Sequence, residues 1–188
     1  MNRFARMPAL AFALLLGLGL SACQEETSAA KPAPVAMTPD ATGYYCQMTA
    51  LEHDGPKAQI HLAGNPFPLW FTQVRDAVAF TMSPEEPKDY VAVYVSDMGR
   101  AESWDNPGKD NWIDAETAWF VIGSRKAGGM GAPEAIPFGS EKEAEAFVAQ
   151  EGGSIVRLSA IPESYVLGSV VSEDETGGET MTMVEAGR

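Results

Sequence analysis

Basic residues are scarce in this chain: 13 Lys and Arg stand against 26 Asp and Glu among 188 residues, a net charge of −13. Binding to nucleic acid or to bare anionic lipid relies on cationic side chains that neutralise phosphates, so the composition argues against both as partners. Long hydrophobic runs are missing as well. The most apolar stretch, Ala9 to Leu20, is about a dozen residues, short of the ~20 that a membrane-spanning helix requires. Cysteine and histidine number two each, which leaves little from which to build a zinc site. No Ser/His/Asp grouping, glycine-rich phosphate loop or paired-carboxylate signature stands out, so the residues offer no support for an enzyme.

What the chain does have begins at its amino terminus. Arg3 and Arg6 precede the apolar run and Leu20-Ser21-Ala22-Cys23 closes it, the pattern of a signal peptide over residues 1–22. A cysteine directly after Leu-Ser-Ala matches the lipobox at which bacterial lipoproteins are cleaved and acylated. The mature chain is therefore expected to begin at a lipidated Cys23, anchored at the periplasmic face of a membrane. Gln24 rather than Asp follows, which favours the outer membrane; an ordinary secreted protein or an uncleaved anchor are the rival readings. Acylation of Cys23 leaves Cys46 as the sole thiol in an oxidising compartment, with no internal disulfide available. Two roles fit it, a small buried apolar residue or a metal ligand or nucleophile.

Residues 23–42 are small, polar and proline-containing, and read as a flexible tether. Residues 172–188 read as an acidic, glycine-rich flexible tail. Between them one pattern occurs twice. Short strands at Ala58–Leu62 and Leu69–Phe71 lead, with Thr72 as N-cap, into an apolar helical face of Val74, Ala77, Val78 and Met82, and then into the strand Tyr90–Val95. In the second half, strands at Ala118–Ile122 and Ala135–Phe138 precede a helix opened by a Ser140–Glu143 capping box and stopped at Gly152-Gly153, before a strand at Ile155–Leu158. Phe71 and Phe138 hold equivalent places. The expected class is α+β, with two similar ββαβ lobes at 43–100 and 101–171.

Chemistry concentrates in two places. In Tyr44-Tyr45-Cys46-Gln47-Met48, extended backbone would send thiol and thioether to one side. Both are soft donors that prefer Cu(I), whereas Mg²⁺ and Ca²⁺ call for oxygen. In the second, Met130 sits among the glycines of Ala127-Gly-Gly-Met-Gly-Ala-Pro133, expected to be an accessible and mobile loop; an incidental methionine on a turn is the alternative. Together Cys46, Met48 and Met130 would make a three-sulfur Cu(I) site. His53 is a possible added ligand, as are Met181 and Met183 in the tail. His61, alternating with Ile60 and Leu62, is expected to face solvent.

The lipobox, the tether, Cys46-x-Met48 and the downstream stretch from Gly128 to Phe138 resemble the NosL family, copper-binding lipoproteins of nitrous oxide reductase assembly. The resemblance implies a fold like the organomercurial lyase domain and a Cu(I) chaperone that serves nitrous oxide reductase and docks on a membrane transporter complex. By carry-over it implies Cys46, Met48 and Met130 as metal ligands. Many relatives have Cys-Gly-Met where this chain has Gln47, a departure that changes backbone freedom and removes no donor. The lyase reaction needs a second thiol that this chain does not offer, so no enzyme is implied. A lipid-tethered module that binds only a protein partner remains the alternative.

Overall fold

A computed structural model describes residues 31–168. The signal peptide, Cys23, and the tail with Met181 and Met183 lie outside the described residues. The first sheet is built around β1 (Ala58–Leu62), paired antiparallel with β2 (Leu69–Phe71) on one side and with β3 (Tyr90–Ser96) on the other. A fourth strand, β4 (Trp112–Asp114), extends it beyond β3. The second sheet has β5 (Trp119–Ile122) between β6 (Ile136–Phe138) and β7 (Ser154–Val156), again antiparallel. The structure is thus a mixed α/β one with two antiparallel sheets.

Helix α1 (Val74–Met82) buries Val74, Ala77, Val78 and Phe80 against the first sheet, and Ser83-Pro84 ends it because the residue before proline avoids helical backbone. Helix α2 (Glu141–Glu151) buries Ala144 on the second sheet. Its start carries half of the expected capping box. Ser140 Oγ accepts from Glu143 N at 3.3 Å, but the Glu143 carboxylate accepts the Ser140 hydroxyl proton, at 2.8 Å. Gly152, at φ 73°, stops the helix as expected. A short third helix, α3 (Glu163–Leu167), was not legible in the sequence.

Three expectations change. The halves at 43–100 and 101–171 are not separate packing units. Phe120 and Ala135 of the second half, with Ile161 and Val166 from its end, share one core with Ile60, Phe71, Val74 and Phe80, and β4 joins the first sheet from beyond residue 100. Secondly, residues 31–42 are no tether. The Tyr94 hydroxyl donates to Pro32 O, the Val35 backbone exchanges two hydrogen bonds with the Gln59 carboxamide, and Met37 and Ala41 are buried beside Trp70 and Trp112. This segment covers the sheet face opposite α1. Thirdly, His61 lies on that covered face and is only 5% exposed. Its Nε2 is 2.8 Å from Gln59 Oε1, an oxygen that already accepts from Val35 N, so Nε2 carries the proton and donates.

Candidate metal centre

Residues 43–48 form a turn rather than extended backbone. A bridge between Thr42 and Thr49 closes it, with Gly43 N donating to Met48 O and Gln47 N to Gly43 O. Gln47 stands at φ 56°, in the left-handed region that glycine occupies without strain and other residues seldom adopt. Its side chain offsets part of that cost by donating to Tyr44 O at 2.6 Å. A glycine would adopt this conformation without strain, and Gln47 reaches it with a local hydrogen bond.

The turn is fixed to the edge of β2. Tyr44 N donates to Trp70 O at 2.7 Å, and the Tyr44 ring packs on Phe71 and edge-on to Phe80. Both tyrosine hydroxyls donate to one carboxylate, Tyr44 to Glu86 Oε2 at 3.2 Å and Tyr45 to Oε1 at 2.9 Å. Burial first, and the Glu86 hydrogen bond second, hold both phenols above their ordinary pKa, so they stay protonated donors. Docked in this way, the turn brings Cys46 to the end of β2. There its Sγ lies 3.4 Å from Thr72 Oγ1. The thiol packs where Gly43 has no side chain, since a Cβ on that glycine would come within 2.5 Å of Cys46 Sγ and 2.9 Å of Thr72 Cγ2.

Met130 reaches the same hydroxyl from the other sheet. It sits at the tip of the hairpin between β5 and β6, which is closed by a bridge between Ala127 and Pro133 and by Gly128 N to Ala132 O at 2.8 Å. Thr72 Oγ1 donates to Met130 Sδ at 3.7 Å. The two sulfurs are therefore separated by no more than the sum of two contacts, with one buried hydroxyl between them. Met130 is 45% exposed, in keeping with the expected accessibility. The loop itself is not loose: Cβ atoms added at Gly128 and Gly129 would come within 2.5 Å of Gln73 Oε1 and Asp54 O. Glycine here permits close packing.

Met48 belongs to the Cys46 turn and is 42% exposed. The structure joins it to Cys46 by that turn, whose Gly43 N donates to Met48 O. His53 is half-buried beside the Met130 hairpin, its Cβ 3.2 Å from where a Gly129 Cβ would lie. Thr72 is the residue that sequence reasoning misassigned. It does not cap α1, whose N-cap is Gln73, and its hydroxyl serves the sulfurs instead. A hydroxyl before a helix reads as a cap in sequence, and only the arrival of two distant loops reveals the other use.

A half-buried thiol and an exposed thioether held across one buried hydroxyl on an α/β scaffold define a candidate soft-metal-binding protein. The chain belongs to the NosL family, whose model matches residues 34–166. The copper-binding lipoprotein NosL of Achromobacter cycloclastes is 52% identical over 161 residues, 85% of this chain and 81% of the relative. The copper-binding lipoprotein NosL of Stutzerimonas stutzeri is 30% identical over 156 residues, 82% of this chain and 80% of the relative. The crystal structure of the copper chaperone NosL from Shewanella denitrificans superposes with a TM-score of 0.66 at 33% identity, over 71% of this chain and 98% of the other.

Proposed function

We propose that this chain is a Cu(I)-binding chaperone lipoprotein that delivers copper for maturation of nitrous oxide reductase. The observation that carries the copper reading is the meeting of Cys46 and Met130 at Thr72, two sulfurs from segments 84 positions apart in sequence. Thiolate and thioether match monovalent copper, which favours soft, polarisable ligands over oxygen. The relatives named as copper-binding lipoproteins and as a copper chaperone support the same assignment.

Copper here is cargo. Cys46 gives up its proton on binding and supplies charge and affinity, while Met130 and Met48 add soft donors that do not titrate. Exposure of both thioethers leaves the bound ion open to a ligand from the recipient, so transfer proceeds through a shared intermediate without release of free ion. His53, beside the Met130 hairpin, is a further donor candidate; Met181 and Met183 are candidates for transient capture. The lipobox at Cys23 supports anchoring at the periplasmic face, with the outer membrane favoured, and nitrous oxide reductase and its transporter complex are the proposed partners. The repeated β–β–α–β order fits a duplicated scaffold like that of the organomercurial lyase domain.

Metal analysis of protein purified anaerobically with copper tests this function. One copper per chain in the wild type, lost in Cys46→Ser, is the expected result. A stoichiometry near zero would overturn the chaperone reading and leave a tethered protein-binding module.

A further inference from the structure

Four residues beyond Met130, Glu134 is buried to 1% exposure. Its Oε1 accepts from Arg75 N at 2.7 Å and from Ala135 N at 2.8 Å. The first of these satisfies a free amide at the start of α1, where the Gln73 side chain provides no cap. Its Oε2 has no hydrogen-bond partner, and neither has Gln73 Oε1, on a side chain 4% exposed. Gln73 Nε2 is turned towards Asp76 Oδ2, at 3.4 Å, which fixes its amide. The two unpartnered oxygens converge on one spot, 3.0 Å and 2.5 Å from where a Cβ of Gly128 would lie. Two buried acceptors left without partners would each cost about 1–3 kcal/mol, and a single proton on Glu134 Oε2, shared with Gln73 Oε1, would satisfy both.

We propose that Glu134 is a positioning residue of the sulfur site: as a neutral carboxylic acid it donates a hydrogen bond to Gln73 Oε1 and ties the Met130 hairpin to the start of α1. The inference rests on the copper reading of that site. Gln73 directly follows Thr72, whose hydroxyl spaces the two sulfurs, and Gly128 lies two residues before Met130, so the pair sets the distance between Cys46 and Met130 from behind. The charged and titratable groups around Glu134 come from every neighbouring segment. Lys57, buried, donates to Asp54 O and Gly55 O; Arg75 and Asp76 stand on α1; Tyr165 of α3 donates to Glu134 O; His53 lies across the hairpin. Burial raises the Glu134 pKa to about 8, against the opposing pull of the two amides and Lys57. Loss of the proton sets a carboxylate against the Gln73 oxygen and loosens the hairpin. Copper is therefore held more tightly below this titration than above it, beyond the thiol-proton competition that all variants share.

The test compares wild type, Glu134→Gln and Glu134→Ala, with Cu(I) titrated against a competing probe at pH values on either side of about 8. Glu134→Ala is expected to weaken Cu(I) binding by about tenfold, the value of one buried hydrogen bond, with Glu134→Gln restoring most of it and flattening the pH profile. Two readouts need no copper. The infrared band of a protonated carboxylic acid should be present in wild type and absent in Glu134→Gln, and amide exchange over residues 128–132 should quicken in Glu134→Ala alone. An ionised Glu134 at neutral pH, or equal affinities and equal exchange in both variants, would overturn the proposal. Should wild type bind no Cu(I), the copper reading fails, and the infrared and exchange results still decide whether Glu134 positions the hairpin.

Discussion

Thr72 Oγ1 stands 3.4 Å from Cys46 Sγ. The same hydroxyl donates to Met130 Sδ at 3.7 Å, so it links the Cys46 turn to the Met130 hairpin. Thr72→Val keeps the shape and removes the link. The expected cost is about 1 kcal/mol of stability for the lost hydroxyl, with a several-fold loss of Cu(I) affinity. Thr72→Ser should retain both. Urea unfolding and competition titrations on the three proteins measure this; a Thr72→Val protein with wild-type affinity would show that the hydroxyl does not organise the sulfurs.

Gln47 offers a test of backbone strain. Glycine there relieves a left-handed conformation worth about 1–2 kcal/mol, but loses the hydrogen bond to Tyr44 O and frees the unfolded chain. These terms oppose one another, so Gln47→Gly should leave stability within about 1 kcal/mol of wild type. Gln47→Val, β-branched and without a donor, should lose about 2 kcal/mol or more. Thermal unfolding of both variants distinguishes them, and equal melting temperatures would contradict the strain assignment.

The segment over residues 31–42 should be part of the folding unit. A chain starting at residue 43 loses the buried Met37 and Ala41 and uncovers Gln59, His61 and Trp70. The expected loss is about 2–4 kcal/mol from apolar burial, relative to a chain starting at residue 31. Denaturant midpoints of the two truncations check it. Equal midpoints would return this stretch to the role of spacer.

His61 predicts an acid-side dependence. Burial lowers its pKa below 6.5, so the unfolded chain takes up the proton first as pH falls. Its contribution is intact above 6.5, declines as pH drops from there towards the folded-state value, and is constant below that. His61→Gln should flatten this part of the stability profile. Unfolding free energies at a series of pH values give the slope, and an unchanged slope in the variant would refute the assignment.

The elements of the repeated pattern were legible in the sequence because their apolar residues are local and periodic: Val74, Ala77 and Val78 mark α1 as plainly as Ile60 marks β1. What failed was anything set by a distant segment. His61 alternates with Ile60 and Leu62 and so reads as facing solvent, yet residues 31–37 cover it and the neighbouring Gln59. Of the site, Cys46 and Met130 stand out by chemistry alone. Their link through Thr72 and the burial of Glu134 depend on the approach of the β5–β6 hairpin to α1, and the left-handed Gln47 on the closure of the 43–48 turn, neither of which a local pattern encodes.

The central claim is that Cys46 and Met130 hold the same copper ion. X-ray absorption at the copper edge, on the Cu(I)-loaded wild type and on Met130→Leu, tests it most directly. The account predicts a sulfur-dominated first shell in the wild type that loses one sulfur scatterer in Met130→Leu. Identical spectra from the two proteins would contradict it.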